Sequence, residues 1–219
     1  MDRMASTPAQ PSSTGLLLTG GGARAAYQVG VLEAIADMRK ECGAGNDPNP
    51  FPIITGTSAG AINASALACG ADDFDGTVRL IAKTWREFHA HDVYRADHLS
   101  MLRSGARWMT LLSVGWIVAK FRRIKPKSLL DNSPLGELLQ RLVPLERLPE
   151  LVRQGHMQAL AVTASSYSSG DHITFFEGDK RLMPWVRTQR LAVRDKITHA
   201  HLLASSAIPF VFPATELHI

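Results

Sequence analysis

Ser58 stands in the run Gly56-Thr-Ser-Ala-Gly60, behind an apolar stretch, Phe51-Pro-Ile-Ile-Thr55, and ahead of a helix-forming one, Ala61-Ile-Asn-Ala-Ser-Ala-Leu67. A G-x-S-x-G turn between strand and helix is a nucleophile elbow, which presents the serine hydroxyl above the sheet edge. Gly56 and Gly60 flank the serine because a Cβ at either position would collide across so sharp a turn. The backbone N–H of Ala59 opens the following helix, where unpaired donors and the positive dipole end favour an anion.

A second loop could complete that chemistry. Leu16-Leu-Leu-Thr19 reads as a short strand, followed by Gly20-Gly21-Gly22-Ala23-Arg24. A helix follows to about Arg39, with Ala26, Val29, Gly30, Leu32 and Ile35 spaced to face inward. Three glycines between strand and helix can turn their N–H groups outward into an anion-binding nest. Beside Ser58, that nest would be an oxyanion hole, with each donor worth roughly 3–4 kcal/mol in the transition state. Gly20-x-Gly22-x-x-Ala25 also fits a dinucleotide fingerprint formally, but no strand precedes Glu41, where the ribose-binding acid would stand. No Gly-Lys-Ser/Thr follows, so a phosphate-cradling loop of the Walker type is excluded.

The pairing of residues 20–24 with residues 56–60 resembles the patatin-like phospholipases. A third segment, Ala204-Ser-Ser-Ala-Ile-Pro-Phe-Val-Phe-Pro213, is similar to the helix–proline–strand stretch shortly before that family's catalytic aspartate. The resemblance implies a layered α/β fold with a mostly parallel central sheet. It implies a serine–aspartate dyad cleaving lipid acyl esters, with Ser58 as nucleophile and the amides of Gly20, Gly21, Gly22 and Ala59 as the oxyanion hole. Arg24 matches the family's basic position, where it would steady the loop or add positive field. Its bland alternative is a helix N-terminal arginine in a salt bridge.

The chain departs from the family pattern at its end. The dyad aspartate belongs to an Asp-Gly-small motif after the Pro-x-x-Phe-Pro segment, and no Asp lies between Pro213 and Ile219. Asp75-Gly76 lies far upstream and is not assigned the role. These 219 residues therefore read as an N-terminal portion of a longer protein. Alone they are expected to be weaker by a factor of about 10⁴ or more, because a serine without a base is a poor nucleophile. The ordinary α/β-hydrolase order would need Ser58, then Asp171 or Asp195, then His199, His201 or His218, none in a recognisable post-strand loop. Within the enzyme class, an acyltransferase or esterase is the alternative. From another class, the alternative is a catalytically silent membrane-binding or regulatory module.

Composition suits one soluble α/β domain: 45% of residues are hydrophobic and the net charge is +4. Cys42 and Cys69 make no disulfide framework and read as reduced thiols. Residues 1–13, rich in Ser, Thr and Pro, read as a flexible tail without a secretory core, and residues 14–219 as the domain. That pattern points to a cytoplasmic protein, at most peripheral to a membrane. Residues 99–127 combine Arg103, Arg107, Lys120, Arg122 and Arg123 with an apolar run too short for the roughly 20 residues of a spanning helix. This insertion is either a cap over the site or a contact with an anionic membrane. The stretch lacks nucleic-acid motifs. No HExxH or paired-cysteine motif occurs, so no metal or cofactor is expected.

Four smaller readings complete the pass. Residues 71–77 form an acidic turn ahead of a helix over 78–88. Ser133 is the N-cap of a helix with Pro134 at its first position. Residues 160–163 and 173–176 are neighbouring strands around a turn. A helix over 198–206 is stopped by Pro209.

Overall fold

The computed structural model describes residues 14–87, 89, 130–209 and 211–218. The tail of residues 1–13, the insertion of residues 99–127 and its five basic residues (Arg103, Arg107, Lys120, Arg122 and Arg123) lie outside the described residues.

Three strands set the frame: β1 (Gly15–Leu18), β2 (Ile53–Thr57) and β3 (Ala159–Ser165), adjacent and parallel. The sheet continues antiparallel through β4 (His172–Gly178), then β6 (Arg190–Arg194), and ends on β5 (Trp185–Arg187). Three of the five neighbouring pairs are parallel, giving the mostly parallel α/β sheet expected from the sequence. β2 runs two residues further than the apolar stretch suggested, through Gly56 and Thr57.

The crossover helix α1 (Ala25–Glu41) joins β1 to β2. Its inward face is Ala25, Val29, Leu32 and Ala36. Ala26 and Gly30, read from sequence as inward, are exposed. A three-residue 3₁₀ turn, Gly22–Arg24, leads directly into α1. Helix α2 (Ala59–Ala68) leaves β2 and is buried at seven of its ten positions. It packs on β1, β2 and β3 beneath α1 and α3 (Phe74–Glu87). Small residues along α2 let backbones approach on all sides.

Two local expectations are corrected. The acidic turn is shorter than read, because Asp73 Oδ1 accepts the Gly76 N–H at 2.9 Å and starts α3 at Phe74. The N-cap of α4 (Ser133–Leu142) is Asn132 instead of Ser133. Ser133 is already helical, its N–H and hydroxyl both donating to Asp131 Oδ1 at 3.0 and 2.6 Å. A short helix, α5 (Leu148–Arg153), precedes β3. The last helix, α6 (His199–Ser206), is closed by a capping box between Thr198 and His201 and packs against β3, α2 and α4. One continuous core runs through these layers, from Leu18 and Ile54 to Leu139, Leu160 and Leu202.

Candidate active site

The parallel register brings the two glycine-bearing loops together. Leu18 pairs with Gly56, so the chain leaving β1 at Thr19 and Gly20 runs beside the chain leaving β2 at Thr57 and Ser58. Neighbouring strands lie about 4.8 Å apart, so loops that leave them on the same side must touch. A Cβ built on Gly20 would sit 3.3 Å from Ser58 Cβ and 3.4 Å from the Thr57 carbonyl oxygen. Gly22 has φ +54, and a Cβ there would meet nothing within 4 Å, so this residue faces open space.

Ser58 has φ 55 and ψ −128, a conformation that L-residues adopt at a cost of roughly 1–3 kcal/mol. The turn leaves no room for side chains on either flank. A Cβ on Gly56 would lie 2.4 Å from the Gly60 carbonyl oxygen, and one on Gly60 would lie 2.3 Å from that of Leu18. The Ser58 carbonyl accepts from Ala61 and Ile62 N–H at 2.9 and 3.2 Å, so the helix is anchored directly on the strained residue. The Ala59 N–H is the first of that helix and has no acceptor within it.

Several fixing residues escaped the sequence reading. The Ser58 N–H donates to Ser205 Oγ at 2.7 Å, and that hydroxyl donates to the Thr163 carbonyl at 2.6 Å. Ser205 thereby ties the elbow to β3 and α6, and it commits the Ser58 amide elsewhere than toward a substrate. A second chain of contacts holds the glycine loop. Trp85 Nε1 donates to Asn63 Oδ1 at 2.8 Å, and Asn63 Nδ2 donates to Gln28 Oε1 and to the Ala25 carbonyl, each at 3.2 Å. Gln28 Nε2 then donates to the Thr19 carbonyl at 2.7 Å, next to Gly20. Asn63 is fully enclosed, where unmatched amide groups would be costly, so the chain is a rigid brace. Only the Ala-Ser-Ser-Ala segment drew attention to Ser205 in the sequence, and nothing marked Asn63.

Replacing Ser205 with alanine is expected to cost about 1–2 kcal/mol of stability, read as a lower urea midpoint. A variant that unfolds at the wild-type midpoint would show that α6 does not hold the elbow.

Arg24 is exposed and its backbone N–H closes the turn onto the Gly21 carbonyl at 3.1 Å. Its guanidinium has no ion pair among the described residues. Two of the histidines that the α/β-hydrolase alternative would need, His199 and His201, are engaged elsewhere among the described residues. His199 Nε2 contacts the Val143 carbonyl at 2.9 Å. The buried His201 accepts the Thr198 N–H on Nδ1 at 3.1 Å, and its Nε2 faces Asp195 Oδ2 at 3.3 Å without hydrogen-bond alignment. Burial lowers the His201 pKa, opposed by the Asp195 charge, so the neutral acceptor form suits the capping box.

Ser58 opens onto a cavity of about 570 Å³. Its wall is largely aliphatic: Ile62, Ile81, Leu135, Leu139 and Val143 are among its residues, with Gly22, Ala23 and Ala59 at the serine end. That volume lies within the roughly 300–1,000 Å³ typical of small-molecule sites. Cys69 also borders the cavity, but burial, with the Glu146 charge second, pushes its thiol up to about 12. Near neutral pH a thiol reagent is therefore expected to modify the exposed Cys42 and spare Cys69 until the protein is denatured. Stoichiometric labelling of Cys69 in the native protein would contradict this.

Against known proteins, the model of the family described as patatin-like phospholipase matches residues 16–218. The uncharacterized protein YjjU of Escherichia coli (strain K12) is 34% identical over 111 residues, covering 51% of this chain and 26% of that protein. Among solved structures, the chain is similar to one in the complex of full-length SpcU with full-length ExoU from the type III secretion system of Pseudomonas aeruginosa. The TM-score is 0.45 at 17% identity, over 93% of this chain and 39% of that one. A second structure of the ExoU–SpcU complex gives a TM-score of 0.35 at 19% identity, over 77% of this chain and 33% of the other. The chain thus spans about a quarter of the curated relative's length.

Proposed function

The chain belongs to the patatin-like phospholipase family, and on that premise we propose that it is the nucleophile-bearing part of a serine acyl hydrolase acting on lipid esters. One observation carries the reading: Ser58 holds a strained backbone against the Gly20 loop, at the end of an aliphatic cavity. A fold gains nothing from that strain, whereas a nucleophile must be held clear of its own backbone to meet a carbonyl carbon.

In the proposed reaction the acyl chain occupies the cavity and Ser58 Oγ attacks the ester carbonyl. The developing oxyanion is met by N–H groups of the Gly20–Gly22 loop and of Ala59. An aspartate accepts the Ser58 proton and passes it to the departing alcohol, and water, activated by the same carboxylate, releases the fatty acid. We assign that base to sequence beyond Ile219, following the family pattern. Asp195 faces His201, and Asp131 accepts from Ser133. Transfer of the acyl group to an acceptor other than water would use the same residues.

A fluorophosphonate applied to the full-length protein tests the assignment. Peptide mass analysis should find the adduct on Ser58. Full-length protein that hydrolyses esters while remaining unlabelled there would overturn it.

A further inference from the structure

The far edge of the sheet carries a surface that Ser58 chemistry does not use. Among the described residues β5 has no outer neighbour in the six-stranded order, and all three of its residues are exposed. Around it Met183 is 74% exposed, Val186 84% and Trp185 42%. A run of exposed large apolar side chains on an edge strand invites association. No Asp or Glu occurs between Lys180 and Arg194, whereas Lys180, Arg181, Arg187 and Arg190 all do. Arg181 is neutralised by Asp179, with contacts of 3.0 and 2.8 Å. Arg194 is spent on the Gly178 and Asp179 carbonyls and on the face of Phe176. Lys180, Arg187 and Arg190 have no carboxylate partner among the described residues. Arg187 lies 5.3 Å over the Trp185 ring.

The sheet register places this hairpin on the edge where Ser58 emerges. One row crosses the sheet through Thr57, Thr163, Thr174, Ala192 and Trp185. The hairpin turn at Thr188 and Gln189, with φ 56 at Gln189, therefore projects past the same edge as the elbow, four strand spacings or roughly 19 Å away.

We propose that the β5–β6 hairpin is a docking surface for an anionic lipid bilayer, with Met183, Trp185 and Val186 entering the interface and Lys180, Arg187 and Arg190 meeting the head groups. The side chains project from a narrow two-stranded edge instead of lining a groove, which suits a deformable surface better than a folded partner. Tryptophan with arginine beside it fits the boundary between head groups and acyl chains. Cations at the rim match negative head groups, each contributing about a fivefold gain in partitioning. The inference goes beyond the hydrolase reading and does not depend on Ser58 being a nucleophile.

The test uses full-length protein carrying Ser58→Ala, so that hydrolysis plays no part in the readout. Flotation is compared on vesicles of phosphatidylglycerol with phosphatidylcholine and on phosphatidylcholine alone. Binding should require the anionic lipid, and the double variant R187Q/R190Q should weaken it about thirtyfold. Val186→Glu, at a position too exposed to disturb folding, should weaken it at least tenfold. Equal binding to both vesicle types, or unchanged binding by both variants, would overturn the proposal. So would a Val186→Cys protein in which maleimide, in the absence of lipid, labels Cys42 and leaves position 186 unmodified, since another segment would then cover the hairpin. A dimer in solution that Val186→Glu dissociates, with vesicle binding intact, would instead assign the surface to a second copy of the chain.

Discussion

Full-length protein carrying Ser58→Ala is expected to lose ester turnover by about 10⁶-fold, or about 8 kcal/mol in the barrier. The loss should fall on kcat, because the cavity and the glycine loop remain in place to bind the acyl chain. Ser58→Gly should be equally inactive, yet it should separate from the alanine variant in stability. At φ 55 and ψ −128 an alanine carries the same backbone strain as the serine, whereas a glycine does not. Relief of roughly 1–3 kcal/mol, less about 0.5–1 for the extra freedom of glycine in the unfolded chain, leaves a net gain on the order of 1 kcal/mol. For a chain of this size that raises Tm by about 2–4 °C. Calorimetry on both variants measures it. A Ser58→Gly protein melting at or below Ser58→Ala would mean that the elbow stores no strain, and the principal observation behind the hydrolase proposal would fail.

The two glycine-bearing loops could be read from sequence because steric exclusion leaves few residue types able to occupy them. Gly56 and Gly60 have no space for a Cβ, and Gly22 has a positive φ. Such constraints act within a few residues, so they appear as a local string. The convergence of the loops was not visible in either string. It depends on β1 and β2 being neighbours in one parallel register, with Leu18 opposite Gly56. The braces were hidden for a related reason. Ser205 lies 147 positions from the amide that it receives, and the Trp85–Asn63–Gln28 chain links three helices. Serine, asparagine and glutamine are ordinary at these places until the fold supplies their partners. The β5–β6 hairpin also escaped, since three exposed residues in β5 show no alternation between buried and exposed sides. In α1 the sequence marked Val29 and Leu32 of the inward face but also Ala26 and Gly30, which are exposed, because small residues fit either side of a helix.

Gly60→Ala should be among the most damaging single methyl additions at the described glycines. Its Cβ would lie 2.3 Å from the Leu18 carbonyl oxygen, 2.5 Å from that of Thr19 and 2.6 Å from the Leu18 carbonyl carbon. Neither side can yield cheaply. Leu18 is fixed in the sheet opposite Gly56, and the Thr19 carbonyl is held by Gln28 at 2.7 Å. Helix α2 would have to shift by about 1 Å, which should cost 3 kcal/mol or more in a core this closely packed. The shift would also carry Ser58 and the Ala59 N–H away from the Gly20 loop. Molecules that still fold should therefore turn over about 100-fold more slowly, as expected for a 1 Å misplacement of reacting groups. Gly30→Ala is the matched comparison. Gly30 is exposed within α1 and a Cβ there meets nothing within 4 Å, so the same substitution should stabilise by up to about 1 kcal/mol. Urea unfolding of the two variants should give shifts of opposite sign. If Gly60→Ala unfolds at the wild-type midpoint, α2 does not seat directly on the end of β1. The elbow would then lack the rigid support on which the proposed chemistry depends.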